Sequence, residues 1–181
     1  MRYFIVIPLE PVTKKNSQRV VKNRQTGAHF IIPSLKFERY QKDVGSYFTY
    51  QKIKPIEPEF YPVNIRCNFY MRTNRLVDLT NLLEAVDDVL THCGVIVNDD
   101  YKHVAGHDGS RVFVDKDYPR TEIFIEPLYC LWSRDFSKAG KLWKCTEHGN
   151  VLTNLPKYCP TCGRLVTIGA RAPQDTIKGG D

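Results

Sequence analysis

Val77-Asp78-Leu79-Thr80-Asn81-Leu82-Leu83-Glu84-Ala85-Val86-Asp87-Asp88-Val89-Leu90 decides the fold of this chain, together with Val95-Ile96-Val97-Asn98-Asp99-Asp100 just beyond Gly94. Leu79, Leu82, Leu83, Val86 and Leu90 recur at helical spacing and make one apolar stripe. Thr80, Glu84, Asp87, Asp88 and Thr91 fall on the opposite side, where the ordinary reading is a solvated face. Asp78 stands where an N-cap belongs, and Gly94 is a natural helix stop. The Asn98-Asp99-Asp100 run reads as a turn. It is also a second set of carboxylates that a chain folding back along the helix would bring toward the first.

Upstream, Val63, Ile65, Cys67, Phe69 and Met71 alternate with polar or amphipathic residues, the period-two pattern of a strand with one buried face. Arg2–Pro8 reads as a buried strand, and the basic stretch from Thr13 to Gly27 as a loop or loose hairpin. Ser34 caps a predicted helix that carries Leu35, Tyr40, Val44, Tyr47 and Phe48, with Pro55 and Pro58 bounding its end. Downstream, strands are expected near Tyr101–Ala105 and Arg111–Val114, joined through a His107-Asp108-Gly109 turn, and at Thr121–Glu126. The expectation is an α/β domain: a small mixed sheet with two helices over residues 1–128. A cysteine-rich module follows at 129–168, where strand-like alternation stops, and then a frayed tail at 169–181.

Composition narrows the function. The chain has 181 residues, is 42% hydrophobic and has a net charge of +6, so it can bury a core and is not a disordered polymer. No apolar run reaches spanning length, and Tyr3–Leu9 is a strand rather than a leader, which implies a cytoplasmic protein with no membrane partner. The charge is unevenly placed. Residues 1–54 hold 11 Lys and Arg against 3 Asp and Glu; residues 55–126 hold 7 against 13; residues 127–181 hold 8 against 4. Basic flanks around an acidic middle suit a protein that grips a polyanion at its edges and a divalent cation at its centre. A mixed surface without special meaning is the plain alternative.

The opening Ile7-Pro-Leu-Glu-Pro-Val-Thr-Lys-Lys-Asn-Ser17, the Val77–Leu90 and Gly94–Asp100 segments, and Pro119-Arg-Thr-Glu-Ile-Phe-Ile125 together resemble the RusA-type Holliday junction resolvases over residues 3–127. The resemblance implies a small α/β homodimer that cuts four-way DNA junctions with Mg²⁺, in recombination and repair of phage or prophage type. Asp78 matches the first catalytic aspartate, Asp99 that of the later pair with Asp100 beside it, and Asp88 an acid on the intervening helix. Asp78, Asp99 and Asp88 are thereby the implied Mg²⁺ ligands. The chain departs at Thr80, where the pattern has an aspartate, and at Glu84, where it has a lysine. Glu84 lies one turn along from Thr80, so its carboxylate is a candidate replacement, and the catalytic set becomes Asp78, Asp99, Asp100 and Glu84. A protein of the same fold that binds branched DNA without cutting it is the rival, and a nuclease preferring flaps is a third possibility. Lys14, Lys15, Asn16, Arg19, Arg72 and Arg75 are the candidate DNA contacts, which would position a phosphate backbone without reading bases.

Cys145-x-x-His148-Gly149 and Cys159-x-x-Cys162-Gly163 are two knuckles ten residues apart. Each puts two soft ligands on one tight turn, and three thiolates with an imidazole make a closed structural Zn²⁺ site. The pattern resembles a zinc ribbon. Lys141, Lys144, Lys157 and Arg164 would let it add DNA contacts, and a protein partner is the other reading. Cys67 reads as a core strand residue, Cys93 as a helix-end residue and Cys130 as a linker residue or zinc bystander. His103 and His107 read as sheet or turn histidines, with contact to the catalytic metal as the other reading.

Overall fold

The computed structural model describes residues 3–14, 19–135, 142–146 and 148–168. Its core is a five-stranded mixed sheet built on β4 (Val63–Met71). β1 (Tyr3–Ile7) pairs antiparallel with β7 (Arg120–Pro127), which pairs antiparallel with β4. The alternation read from the sequence is realised residue by residue: Val63, Ile65, Cys67, Phe69 and Met71 are buried, and the residues between them are half-buried.

Both helices cover that buried face. α1 (Leu35–Gln51) begins at Ser34, whose Oγ accepts from the Phe37 N–H at 3.2 Å. It ends at Lys52, in the left-handed region, before Pro55 is reached. α2 (Leu79–His92) turns Leu82, Ala85, Val86, Val89 and Leu90 onto the sheet. Leu90 is fully buried, and its truncation to Ala would cost about 2–5 kcal/mol through lost transfer energy and the cavity left behind. Gly94 takes φ 69° just beyond the helix. Val95 and Ile96 then turn back into the core, held by N–H bonds to the Leu90 carbonyl.

The expected hairpin after this point does not form. β5 (Val104–Gly106) and β6 (Arg111–Val114) both run parallel to β4 along one edge, β5 against Val63–Asn64 and β6 against Asn68–Met71. They are one edge strand interrupted at residues 107–110. The interruption is stitched to β4 by side chains: Asn64 accepts from the Asp108 N–H at 2.8 Å, and Ser110 Oγ accepts from the Cys67 N–H at 2.9 Å. Gly109, at φ 82°, has Arg66 packed where a Cβ would point, so the break needs glycine there.

The basic N-terminal segment forms a separate hairpin, β2 (Arg19–Lys22) with β3 (His29–Ile32). Beyond Pro127 the chain passes through Leu128 into four more strands, where alternation was expected to end. β8 (Tyr129–Asp135), β9 (Leu142–Cys145), β10 (Val151–Leu152) and β11 (Leu165–Ile168) form a second sheet in the order β10-β9-β8-β11. Trp132 is its fully buried centre, with Trp143, Leu155 and Val166 packed around it. The Leu128 N–H bonds the Pro62 carbonyl, and Arg164 donates to Glu126 at 2.8 Å, tying this sheet to the first. Among the described residues no helix is long and apolar enough to cross a membrane.

Candidate functional site

Asp78 is the N-cap of α2. Its Oδ1 accepts from the Thr80 N–H at 2.9 Å and from the Thr80 hydroxyl at 2.6 Å. A carboxylate here satisfies an orphan donor and sits favourably at the positive end of the helix. Thr80, where the resolvase pattern has an acid, thus orients Asp78 instead of adding a second carboxylate. Glu84 lies half-buried one turn further on.

The next turn holds a residue the sequence had consigned to the solvated face. Asp87 is only 8% exposed. It lies four residues after Leu83 and three before Leu90, at the margin of the apolar stripe, and points to the break between β5 and β6. There His107 Nε2 meets Asp87 Oδ2 at 2.9 Å, while His107 Nδ1 lies 2.9 Å from the Ile65 carbonyl. A carbonyl only accepts, so Nδ1 carries a proton, and Nε2 and Asp87 share another across their contact. Burial pushes the Asp87 carboxyl up more than the His107 hydrogen bond brings it down, with the Asp99 and Asp88 charges adding to the rise. Burial works against protonation of His107, but Asp87 and the Ile65 carbonyl outweigh it and raise its proton affinity. Asp87 Oδ1 is buried with no hydrogen-bond partner among the described residues. The sequence signal for this was slight: a doublet of acids, one of which had to fall beside the stripe.

Asp88 faces the N-terminal arm. Lys14 Nζ lies 2.7 Å from its Oδ2, off the hydrogen-bonding direction, so the contact is an ion pair. A candidate metal ligand and a candidate DNA contact are therefore paired with each other. Asp99 is exposed, near enough for its charge to act on Asp87. Asp100 is committed to its turn: Oδ1 accepts from the Lys102 N–H at 2.9 Å and meets His103 Nδ1 at 2.8 Å, and Oδ2 accepts from Asn98 at 2.9 Å. The His103 bond, ahead of the others, holds it below the ordinary carboxylate range. His103 also sets its ring edge-on to Tyr61 at 4.9 Å, so it serves the turn. Asp87 lies nine positions after Asp78, about 13 Å of helical rise. Asp88 and Asp99 are the acids whose charges act on Asp87, while Asp78 stands at the far end of the helix. Arg19 donates to Glu38 at 2.6 Å and to the Pro33 carbonyl; Arg72 lies 3.8 Å from Glu10; Arg75 is exposed. Lys15 and Asn16 lie outside the described residues.

The tightest donor cluster lies in the second sheet. Ligand atoms of Cys130, Cys145, His148 and Cys159 all fall within 4.8 Å of one another. Cys130 and Cys145 sulfurs are 3.2 Å apart, and His148 Nδ1 lies 3.3 Å from Cys145 and 3.6 Å from both Cys130 and Cys159. A tetrahedral zinc site with bonds of about 2.0–2.3 Å spaces its ligands by roughly 3.4–3.8 Å. The donor chemistry and the spacing both fit, so this Cys₃His group can hold a metal ion such as zinc. Among the described residues no other group of three or more His, Cys, Asp or Glu side chains is so close.

The two knuckles are built alike. The Cys145 N–H bonds the Asn150 carbonyl and the Gly149 N–H the Cys145 carbonyl; the Cys159 N–H bonds the Arg164 carbonyl and the Gly163 N–H the Cys159 carbonyl. Gly149 and Gly163 take φ of 70° and 71°, the left-handed turn that brings the chain under the ion. Asn150 donates to Thr161 at 2.6 Å and ties one knuckle to the other. Cys145, His148 and Cys159 stand where the spacing placed them. The fourth member of the close group is Cys130, from β8, while Cys162 is half-buried beside Cys159, with both its N–H and its thiol hydrogen-bonded to that residue. Burial opposes ionisation of Cys159, yet N–H bonds from Cys162 and Thr161 and the neighbouring thiols bring it down to about 6. Burial, then the hydrogen bonds to Cys145 and Cys159, push Cys130 up. Each ligand sulfur would bind a metal as thiolate, so binding releases protons. Lys144 is carried on β9, Lys157 and Arg164 lie in the loops on either side of the second knuckle, and Lys141 lies outside the described residues.

In comparisons with known proteins, no family model and no curated protein matches this chain.

Proposed function

We propose that the chain is a Mg²⁺-dependent, structure-specific endodeoxyribonuclease of the RusA type that cuts four-way junctions as a homodimer, with its second sheet held by a structural Zn²⁺. The observation that carries the reading is Asp87 Oδ1, a buried carboxylate oxygen without a donor, beside Asp88 and Asp99. Hard oxygen donors of this kind suit Mg²⁺, which keeps part of its water shell and binds through one or two carboxylates plus substrate phosphate. Asp87 and Asp99 would hold it, with Asp88 adjacent and Asp78 further along α2. When bound, Mg²⁺ supplies positive charge to a phosphodiester and its leaving oxygen.

The chain's own groups divide the remaining work. His107 fixes the Asp87 carboxylate through Oδ2. Lys14, now spent on Asp88, can exchange that acid for a phosphate oxygen when DNA arrives. Two matched subunits suit a two-fold symmetric junction. Zinc would stabilise the ribbon, whose own apolar cluster is small. The second reading, a branched-DNA binder without chemistry, is favoured by Thr80 and by the commitment of Asp78 Oδ1 to its cap. A synthetic four-way junction incubated with Mg²⁺ or EDTA decides between them. Paired, symmetric, EDTA-sensitive nicks support the nuclease, and a retarded but uncut junction supports the binder.

A further inference from the structure

The β2–β3 hairpin pairs with no other strand among the described residues, and four of its apolar side chains are exposed. Val20 is 67% exposed, Ile31 69%, Phe30 51% and Val21 44%. The register sets Val20 opposite Ile31 and Val21 opposite Phe30. Successive pairs in a strand point to opposite faces, so Val20 and Ile31 lie on one face with Lys22 and His29, and Val21 and Phe30 lie on the other. The ribbon is therefore apolar and bare on both sides. Its base is anchored, because Arg19 bonds Glu38 and the Pro33 carbonyl at the start of α1. Its tip is ordered by Asn23, whose side chain accepts from the N–H groups of Gln25 and Thr26.

We propose that this ribbon is a DNA-inserting arm that wedges Phe30, Ile31 and their cross-strand partners between bases at a branch point. The inference rests on the DNA reading given above. Two features select the occupant. Residues 11–37 carry six Lys and Arg and no Asp or Glu, which matches a phosphate-lined surface and repels nothing on it. A second protein surface laid flat on the ribbon would cover one face and leave the other wet. A groove or an opened base step encloses both. Apolar wedges that partly unstack bases, on arms whose cations track the backbone, are an established way for proteins to hold bent or opened DNA. A branched junction has already lost stacking at its centre, so insertion there costs least.

The test uses the full-length protein and a synthetic four-way junction carrying 2-aminopurine at the crossover. Wild type is expected to raise its fluorescence. The variant Phe30→Ala/Ile31→Ala is expected to abolish that rise and weaken junction binding about tenfold, as loss of a stacking contact does, with an unchanged circular dichroism spectrum. Lys22→Ala/Arg24→Ala is expected to weaken binding to junction and plain duplex alike and to flatten the salt dependence. Wedge-variant fluorescence and affinity equal to wild type would overturn the arm while leaving the DNA reading intact. A wedge variant that binds DNA normally but shifts the monomer–dimer balance in sedimentation would assign the hairpin to a second copy of the chain and overturn it too. A wild-type chain that binds no junction would overturn both readings.

Discussion

His107→Ala isolates the most consequential interaction in the core. Asp87 is 8% exposed, and its Oδ1 has no partner among the described residues, so His107 is its hydrogen-bonding support. Truncation leaves a buried carboxyl with neither oxygen satisfied. Breaking a buried pair by removing one member costs about 3–5 kcal/mol. The His107 side chain is 23% exposed, so water can enter the gap, and the lower end, about 3 kcal/mol, is expected. For a chain of this length that is roughly a 6–12 °C fall in melting temperature. Asp87→Asn keeps a hydrogen bond to a neutral imidazole and should cost about 1 kcal/mol or less. The double variant Asp87→Ala/His107→Ala removes both polar groups and should be less destabilised than the sum of its single changes. Far-UV circular dichroism reads the right transition, because both helices belong to the first sheet. Tryptophan fluorescence does not, because Trp132 and Trp143 lie in the second. A His107→Ala loss below about 1 kcal/mol, or strict additivity in the cycle, would refute a buried, mutually dependent pair.

The same pair sets a pH dependence. Both members take up protons more readily when folded, so their contribution is complete at low pH and is lost as pH rises through the raised values. Urea titrations should show the stability advantage of wild type over the double variant shrinking as pH rises, the Asp87 share above 3.8 and the His107 share above 6.5; an advantage that grows with pH would contradict the assignment. A zinc chelator should shift the tryptophan emission and release the second sheet while the helical signal at 222 nm persists, and loss of both signals together would mean the two sheets fold as one unit. Metal analysis of purified variants should find zinc depleted in Cys130→Ser and retained in Cys162→Ser, with the opposite pattern returning the fourth ligand to the second knuckle.

Much of the first sheet could be read from residues alone because its signals are local. The apolar stripe of α2, the Ser34 and Asp78 caps and the alternation of β4 each fall within one element. Local signals cannot say which strand neighbours which. β5 and β6 looked like a hairpin around Gly109 and instead share the edge of β4, because Asn64 and Ser110 bond across the break. Distance in sequence also hid Cys130, which joins the knuckles through pairing of β8 with β9 and β11. Asp87 was hidden for another reason. Its helical position is marginal, and only the His107 loop on the far side of the chain decides that it is buried.

The most direct test of a nuclease centre on α2 is single-turnover junction cleavage by Asp99→Asn, with binding measured in parallel. Cleavage should fall at least about a hundredfold, as loss of a catalytic electrostatic contact does, while junction affinity stays within a few-fold. Cleavage by Asp99→Asn at the wild-type rate would remove Asp99 from the chemistry and overturn the centre assigned to Asp87 and Asp99.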